Sequence, residues 1–375
     1  GIWARLMGTL CIIVSYTAIV SYQFKGGGRI LTLIFSINET HGMRIVAVFV
    51  IVFTALAGMA SVARVDMVVG IVVTLGSLLA LPLLLGEAGG WENVKRSLPP
   101  SHMTALGSMS GFEALGYFLP TFMLLIGNQN IYQKFFSART ERDARVSVAG
   151  WLVGTLILEA AIVLLAVIGG VLYRTQIEQG EFPAWGIIPY SARHGMVAWV
   201  GAVFLGSVLA QVISTGNNYL FSPATNVVHD LYHRFINRDT SDRRLLLYSR
   251  LAVVLLGVAA FLQSFQPSVL ETAVYAYDVY GAGITPAVLA AFFWKRATGA
   301  GGLASILAGT ATAVVWKIFG AIDPGTASPL LARLSQMTDE IPMIYPALAA
   351  SLICLVGVSL LTPRPREEQW KPFFE

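Results

Sequence analysis

The segment 206–232 has the sequence GSVLAQVISTGNNYLFSPATNVVHDLY. It begins as an apolar helix, becomes polar at Ser214-Thr215-Gly216-Asn217-Asn218, and ends in a charged loop. Hydroxyl and amide groups inside a hydrophobic span are costly in lipid, so we expect them to face protein, water or an ion. The segment therefore predicts a membrane helix that carries a cation site.

The composition of the whole chain is that of a membrane protein. Of its 375 residues, 55% are hydrophobic and 12% are charged, and the mean hydropathy is +0.68, whereas soluble proteins average about 25% charged residues. Apolar runs of about 20 residues, the length that crosses a bilayer, recur along the chain. The sequence predicts an all-α polytopic protein of about ten spans, at 6–24, 43–61, 66–86, 113–133, 148–172, 196–228, 246–265, 269–293, 301–320 and 342–362.

The distribution of Lys and Arg predicts how these spans are oriented. If residue 1 lies inside, sixteen of the 25 basic residues fall on cytoplasmic segments. Such an excess on alternate loops is typical of the cytoplasmic side, so we expect a multi-pass protein of the cell (inner) membrane with both ends of this chain cytoplasmic. No basic cluster lies on a soluble domain, so nucleic acid is not an expected partner.

Three spans carry features that could interrupt a helix. The first span, 6–24, is expected to end before a loop at Gly26-Gly27-Gly28. The run 113–133 contains Pro120 and the polar sequence 127–130 (GNQN), and the run 269–293 contains Pro286. Discontinuous membrane helices expose backbone groups that coordinate ions or substrates, although amides also serve helix packing.

Three acidic residues in or beside the spans have open roles. Glu159 lies in the middle of a span, and an intramembrane acid is a functional candidate by default. Asp278 follows Tyr277 and suggests an aqueous lining. Asp66 opens a helix, where a carboxylate interacts favourably with the helix dipole, and an ion-pathway role is equally open.

Known enzyme signatures do not occur in the sequence. There is no phosphate-binding loop, nucleophile elbow or zinc-protease motif, so an enzyme is not expected. His229 and His233 have a spacing that could hold a metal, but no third ligand is evident, and we expect no metal site beyond sodium.

Three local patterns carry a resemblance to a known family. They are the sequence 129–145 (QNIYQKFFSARTERDAR), Ser214-Thr215 followed by 230–232 (DLY), and 283–286 (GITP) leading to 293–296 (FWKR). In this order and spacing, the chain resembles the sodium:solute symporter family, which contains the sodium/glucose, sodium/proline and sodium/pantothenate carriers. The match covers most of the chain.

The resemblance implies an inverted-repeat, leucine-transporter-like fold with core helices three to ten and two peripheral helices. Residues 1–86 would form the last three helices of the first repeat, 87–112 an extracellular loop, 113–293 the second repeat, and 294–375 two peripheral helices and a short tail. On this assignment core helices one and two are missing, so we expect this chain not to transport unaided.

The resemblance also implies the site residues. Sodium would be held by the hydroxyls of Ser214 and Thr215 and by the main-chain carbonyl of Gln211. These three positions share one helical face, although such hydroxyls also bond to carbonyls of the preceding turn. Asp66 matches an acid near the family's sodium exit path, although Val65 and Val69 replace the Thr and Gln of that motif.

The resemblance to the symporter family also implies substrate contacts. Thr121 falls at a substrate-binding polar position, and Leu124 at the gating aromatic of the sugar carriers, which argues against a sugar. Asn128 and Tyr277 are further candidate contacts in the central cavity.

The expected function is a secondary active symporter that imports a small polar solute with Na⁺ by alternating access, with no obligate protein partner evident. One alternative is a proton-coupled carrier of the same fold, with Glu159 or Asp278 as the titrating group. Another is a symporter-like membrane sensor.

Overall fold

The computed structural model describes residues 2–56, 59–266, 268–325 and 328–371, and this part of the chain is helical without β-strands. The helices are α1 Ile2–Phe35, α2 Glu39–Leu56, α3 Met59–Glu87, α4 Trp91–Ser97, α5 Gly111–Gly127, α6 Gln129–Phe136, α7 Glu141–Leu172, α8 Arg174–Glu178, α9 Ile187–His194, α10 Ala198–Thr225, α11 Asp242–Gln263, α12 Val269–Gly283, α13 Thr285–Phe293, α14 Gly299–Gly320, α15 Pro329–Glu340, α16 Ile344–Leu361 and α17 Glu367–Trp370. A π-helical segment, Asn226–Ile236, follows α10 directly.

Several helices begin at hydroxyl side chains that cap their first turn. In each case the side-chain oxygen accepts a hydrogen bond from the backbone N–H three residues later, a donor that has no partner within the helix. This occurs at α5 (Ser110), α7 (Thr140), α12 (Ser268) and α14 (Thr298). These caps fix where the membrane helices start.

Within the described residues, nine helical segments are long and apolar enough to cross a membrane. Of the ten spans predicted from the sequence, the run 113–133 is the one missing from these nine segments. It is divided into α5 and α6 at Asn128, whose backbone is extended (φ −67, ψ 109). The interruption expected there from the sequence is therefore present. The run 269–293 is likewise divided into α12 and α13, with Pro286 in the first turn of α13.

The prediction of a loop at Gly26-Gly27-Gly28 is wrong, because α1 continues as a helix through these glycines to Phe35. Two of them, Gly27 and Gly28, serve close helix packing. A Cβ on Gly28 would lie 2.7 Å from the backbone nitrogen of Met43, and a Cβ on Gly42 would lie 2.6 Å from the carbonyl oxygen of Gly28. Small residues allow two membrane helices to approach in this way, here α1 and α2.

The described chain forms two compact units. The first unit comprises Gly1–Tyr22, Met109–Ile131 and Tyr219–Glu375, and the second comprises Gln23–Ser108 and Tyr132–Asn218. The division into inverted repeats at 1–86 and 113–293 stays a prediction, as do the boundaries 87–112 and 294–375.

Each unit has its own apolar core. In the first unit, Tyr16 of α1, Tyr280 of α12 and Ile344 of α16 are completely buried. In the second, Leu84 of α3 and Phe204 of α10 are completely buried in a cluster that also includes residues of α7. Lipid is as apolar as these side chains, so their close packing stabilises the fold chiefly through van der Waals contacts.

The glycines of α14 yield a prediction about stability. A Cβ on Gly309 would lie 2.3 Å from the carbonyl oxygen of Ala282 in α12, so Gly309→Ala should force the two helices apart. We expect a loss of about 1–3 kcal/mol in the free energy of unfolding, measured by thermal or denaturant unfolding in detergent. Gly302→Ala is the matched control, because its nearest contact would be an ordinary 4.0 Å from Ala287. Equal stability of the two variants would contradict the prediction.

Candidate functional site

A carboxylate and three donors form a polar cluster inside the second unit. Asp66 of α3 accepts hydrogen bonds from the Ser214 hydroxyl, from Asn218 Nδ2 at 2.9 Å, and from Lys134 Nζ at 2.6 Å. We call Asp66, Lys134, Ser214 and Asn218 the Asp66 cluster. Ser214 and Asn218 are four residues apart on α10, so one helical face presents both side chains to the carboxylate.

The Asp66 cluster is partly shielded from solvent and balanced in charge. Ser214 is 5% exposed, whereas the side chains of Asp66 and Lys134 are 20% and 35% exposed. Both carboxylate oxygens accept hydrogen bonds, and one of them also pairs with the ammonium group. Carboxylate and hydroxyl oxygens are ligands that hard cations such as Na⁺ prefer, and here the Lys134 ammonium is the cation that pairs with Asp66.

The polar stretch of α10 lies inside the protein, as the cost of such groups in lipid requires. Asn217 and Asn218 are 1% and 8% exposed. The hydroxyl of Thr54 in α2 donates a hydrogen bond to Asn217 Oδ1. The stretch therefore contacts two other helices of the second unit, α3 through Asp66 and α2 through Thr54.

The residues proposed for sodium lie together on one turn of α10. Gln211 and Thr215 are half-buried, and Ser214 is buried. Ser214 bonds to Asp66 rather than to a carbonyl of its preceding turn, so the structure joins two residues that the sequence assigned to separate roles. Sequence reasoning missed Asn218 and Lys134 as their partners. Lys134 was identified only as part of the basic sequence 129–145, and that spacing gave no sign of Asp66.

The helix interruption at Asn128 is held by tyrosines of the first unit. Asn128 is 1% exposed; its Oδ1 accepts a hydrogen bond from Tyr16 at 3.0 Å, and its Nδ2 donates one to Tyr219 at 2.7 Å. The Tyr280 hydroxyl donates to the Gly127 carbonyl at 2.8 Å and accepts from the backbone N–H of Gln129 at 3.1 Å. The backbone groups that the interruption frees therefore have partners.

The residues proposed for substrate have different surroundings. Thr121 is exposed on α5 and bonds weakly to its own helix, at 3.5 Å from the Tyr117 carbonyl. Leu124 is buried in the apolar core of the first unit, and Tyr277 is half-buried and 2.7 Å from the Tyr22 hydroxyl. The structure does not bring Thr121, Leu124, Asn128 and Tyr277 to one cavity among those it describes, and their substrate roles stay predictions.

The two acids considered for proton coupling also differ. Glu159 is exposed on α7. Asp278 is 2% exposed on α12, and its Oδ1 has no hydrogen-bond partner among the described residues.

The described residues have the features of a membrane transporter: nine apolar helical segments, interrupted helices and a partly shielded cluster that includes oxygen ligands. Comparison with protein families makes this assignment specific: the model of the sodium:solute symporter family matches residues 3–309. The chain belongs to the sodium:solute symporter family. It is a multi-pass membrane protein whose class of activity is sodium-coupled solute symport and not enzymatic catalysis.

Similar proteins support this assignment. The chain is 28% identical to the high-affinity proline transporter PutP of Bacillus subtilis (strain 168), over 97% of this chain and 74% of the relative. It is 24% identical to sodium/proline symporter 2 of Staphylococcus saprophyticus, over 97% and 70% of the two chains. A solved structure of a Na⁺-coupled sialic acid symporter, in a substrate-bound outward-open state, matches with a TM-score of 0.67 at 14% identity, over 97% of this chain and 76% of that one. That likeness shows the shared fold.

Proposed function

We propose that this protein uses inward Na⁺ flow to import a small polar solute by alternating access, with the ion held at α10. The observation that carries the proposal is the hydrogen bond between Ser214 and Asp66. It joins the polar stretch of α10 to the carboxylate of Asp66 in α3. The membrane potential can drive such uptake, because moving one charge through 100 mV contributes about 2.3 kcal/mol of free energy before any concentration gradient is added.

The ligands proposed for Na⁺ are the hydroxyls of Ser214 and Thr215 and the main-chain carbonyl of Gln211. All three are oxygen ligands within one turn, as a hard cation requires. The Asp66 carboxylate adds negative charge beside Ser214, which supports a role in the path of the ion. Lys134 neutralises part of that charge, so its ammonium group limits how strongly a sodium ion is held there.

The solute is proposed to be a small zwitterion, with amino acids of the proline type as first candidates. The support is that the relatives are named as proline transporters. Leu124, at the position of the sugar carriers' gating aromatic, argues against a sugar. We further propose that the protein resides in the cell membrane with both ends of this chain cytoplasmic, in keeping with the distribution of Lys and Arg.

The test is electrical. The full-length protein is reconstituted in liposomes, a sodium gradient is imposed, and currents are recorded across a panel of amino acids, sugars, carboxylates and vitamins. For Ser214→Ala/Thr215→Ala, we expect the sodium concentration at half-maximal current to rise about tenfold, because two oxygen ligands worth roughly 1.4 kcal/mol together are lost.

Ser207→Ala is the matched control for this test. Ser207 is a buried serine of the same helix, and its hydroxyl bonds only within that helix, to the Phe204 carbonyl at 2.7 Å. A current indifferent to the double substitution would overturn the sodium ligands. Uptake driven by a proton gradient without Na⁺ would favour a proton-coupled carrier, and solute binding without any current would favour a sensor.

A further inference from the structure

The ends of three apolar segments meet at one place in the first unit. Each is long and apolar enough to cross a membrane, and the three are Val269–Phe293, Gly299–Gly320 and Ile344–Leu361. The junction between the first two contacts the end of the third: the backbone N–H of Thr298 donates a hydrogen bond to Ser359 Oγ at 3.2 Å, and the hydroxyls of Thr298 and Thr362 are 2.9 Å apart. The residues beside these three ends therefore lie at the boundary of the membrane.

The tail after α16 returns to this junction. Arg296 Nη2 donates hydrogen bonds to the carbonyls of Leu360 and Thr362, at 3.2 and 2.8 Å, and so binds the junction to the last turn of α16. Lys295 Nζ lies 4.9 Å from the centre of the Trp370 ring, a geometry in which the cation is attracted to the aromatic face. The junction and the tail therefore form one surface around the end of α16.

This surface is strongly basic. Residues 294–298 and 362–371 contain five basic side chains and two acidic ones, Glu367 and Glu368; the five are Lys295, Arg296, Arg364, Arg366 and Lys371. We call these five residues the basic surface. All of them except Arg296 are exposed, so four cationic groups are accessible from outside the protein while Arg296 holds the end of α16.

The opposite ends of the same three segments have the reverse charge. Around residues 269, 320 and 344, four acidic residues lie against two basic ones; they are Glu271, Asp323, Asp339 and Glu340 against Lys317 and Arg333. Positive charge is therefore concentrated at one side of this part of the protein. A surface with one predominant sign of charge attracts groups of the opposite sign.

Apolar and aromatic side chains border the basic surface. Phe293, Leu360 and Leu361 are 78%, 58% and 88% exposed, and at the ends of membrane-spanning segments such side chains face acyl chains. Trp294 and Trp370 are half-buried and line one cavity, and tryptophan is enriched where a membrane meets water. A ligand at this place meets cationic groups and an apolar surface side by side, which suits an amphiphile with an anionic head.

We propose that the basic surface binds anionic phospholipids, with their phosphates paired to its exposed Lys and Arg side chains and their acyl chains against Phe293 and Leu361. A cluster of about four to eight basic residues directly beside a membrane helix attracts such lipids, and arginine pairs with phosphate through two parallel hydrogen bonds. A soluble acidic partner would match the charge but not the adjoining apolar side chains. The inference requires only that these segments span a membrane, so it is independent of the solute and of the sodium ligands.

Tryptophan quenching by brominated lipids tests the inference. The full-length protein is reconstituted in phosphatidylcholine vesicles that contain a minor fraction of either brominated phosphatidylglycerol or brominated phosphatidylcholine. The signal of Trp370 is the difference between wild type and Trp370→Phe. We expect the anionic lipid to quench Trp370 more strongly than the zwitterionic lipid at low salt. Added salt should reduce this excess, because it screens the exposed charges.

Removing two charges of the basic surface should weaken the preference for the anionic lipid. For Arg364→Gln/Arg366→Gln, we expect the association constant of phosphatidylglycerol relative to phosphatidylcholine at Trp370 to fall about tenfold. Lys95→Gln/Arg96→Gln is the matched control, because it removes the same charge from exposed side chains of α4, which is not among the membrane-spanning segments. The control should change the preference by less than about twofold. All four side chains are exposed, so both variants should keep the unfolding temperature of wild type in lipid-free detergent.

Equal quenching of Trp370 by the two lipids in the protein with an intact basic surface would overturn the inference, and this comparison does not depend on whether the charge variants fold. An excess that is unchanged in Arg364→Gln/Arg366→Gln, or that falls equally in the α4 control, would also overturn it. Addition of a soluble acidic peptide at matched ionic strength gives a further arm. Loss of the excess on adding the peptide would show that the surface takes a soluble partner instead of a lipid.

Discussion

Asp66→Asn is expected to raise the sodium concentration for half-maximal uptake by about 100-fold, equivalent to roughly 2.8 kcal/mol. The carboxylate accepts hydrogen bonds from Ser214, Asn218 and Lys134. An amide of the same shape retains one acceptor oxygen and places an NH₂ group where the second oxygen lies. At least one donor would then face another donor, and the negative charge beside Ser214 would be lost.

The measurement is solute uptake into proteoliposomes as a function of sodium concentration, with the amount of folded protein checked by size-exclusion chromatography. Glu87→Gln is the matched control, because it removes an exposed carboxylate at the other end of the same helix. We expect less than about a twofold change there. An unchanged sodium dependence in Asp66→Asn would show that Asp66 has no part in the path of the ion.

The apolar runs and the polar interruptions could be predicted from the sequence because both are local properties. The polar residues at 214–218 had to face protein, and the amides at 128–130 marked a real division between α5 and α6. Local composition gave a wrong prediction of a loop at Gly26-Gly27-Gly28, because glycine is common both in loops and at close contacts between helices. Only the position of Met43 in a neighbouring helix distinguishes the two cases.

The partners of the site residues could not be predicted in the same way. Asp66 and Lys134 are 68 residues apart, and Asp66 and Ser214 are 148 apart. No helical period links positions at such separations, because the contact depends on how whole helices pack. The role of Tyr280 in holding the division at Asn128 is hidden for the same reason, since its hydroxyl bonds to backbone groups about 150 residues away.

Lys134→Met is expected to lower the sodium concentration for half-maximal uptake about 30-fold, equivalent to roughly 2 kcal/mol, because the ammonium no longer competes with Na⁺ for the Asp66 carboxylate. The Nζ of Lys134 lies 2.6 Å from Asp66 Oδ2, and both side chains are partly shielded. The unpaired carboxylate would also destabilise the second unit, which should lower the unfolding temperature in detergent. Lys134→Arg keeps the positive charge and should retain the sodium dependence of wild type.

A double-substitution cycle separates the ion pair from other effects of these side chains. Unfolding is measured for wild type, Asp66→Asn, Lys134→Met and the combined variant. If the two charges stabilise each other, the combined variant loses less stability than the sum of the single variants, by about 0.5–3 kcal/mol. Strict additivity would show that the two groups act independently. The ammonium of Lys134 would then have no part in setting the charge beside Ser214, and the limit it is proposed to place on sodium binding would be removed.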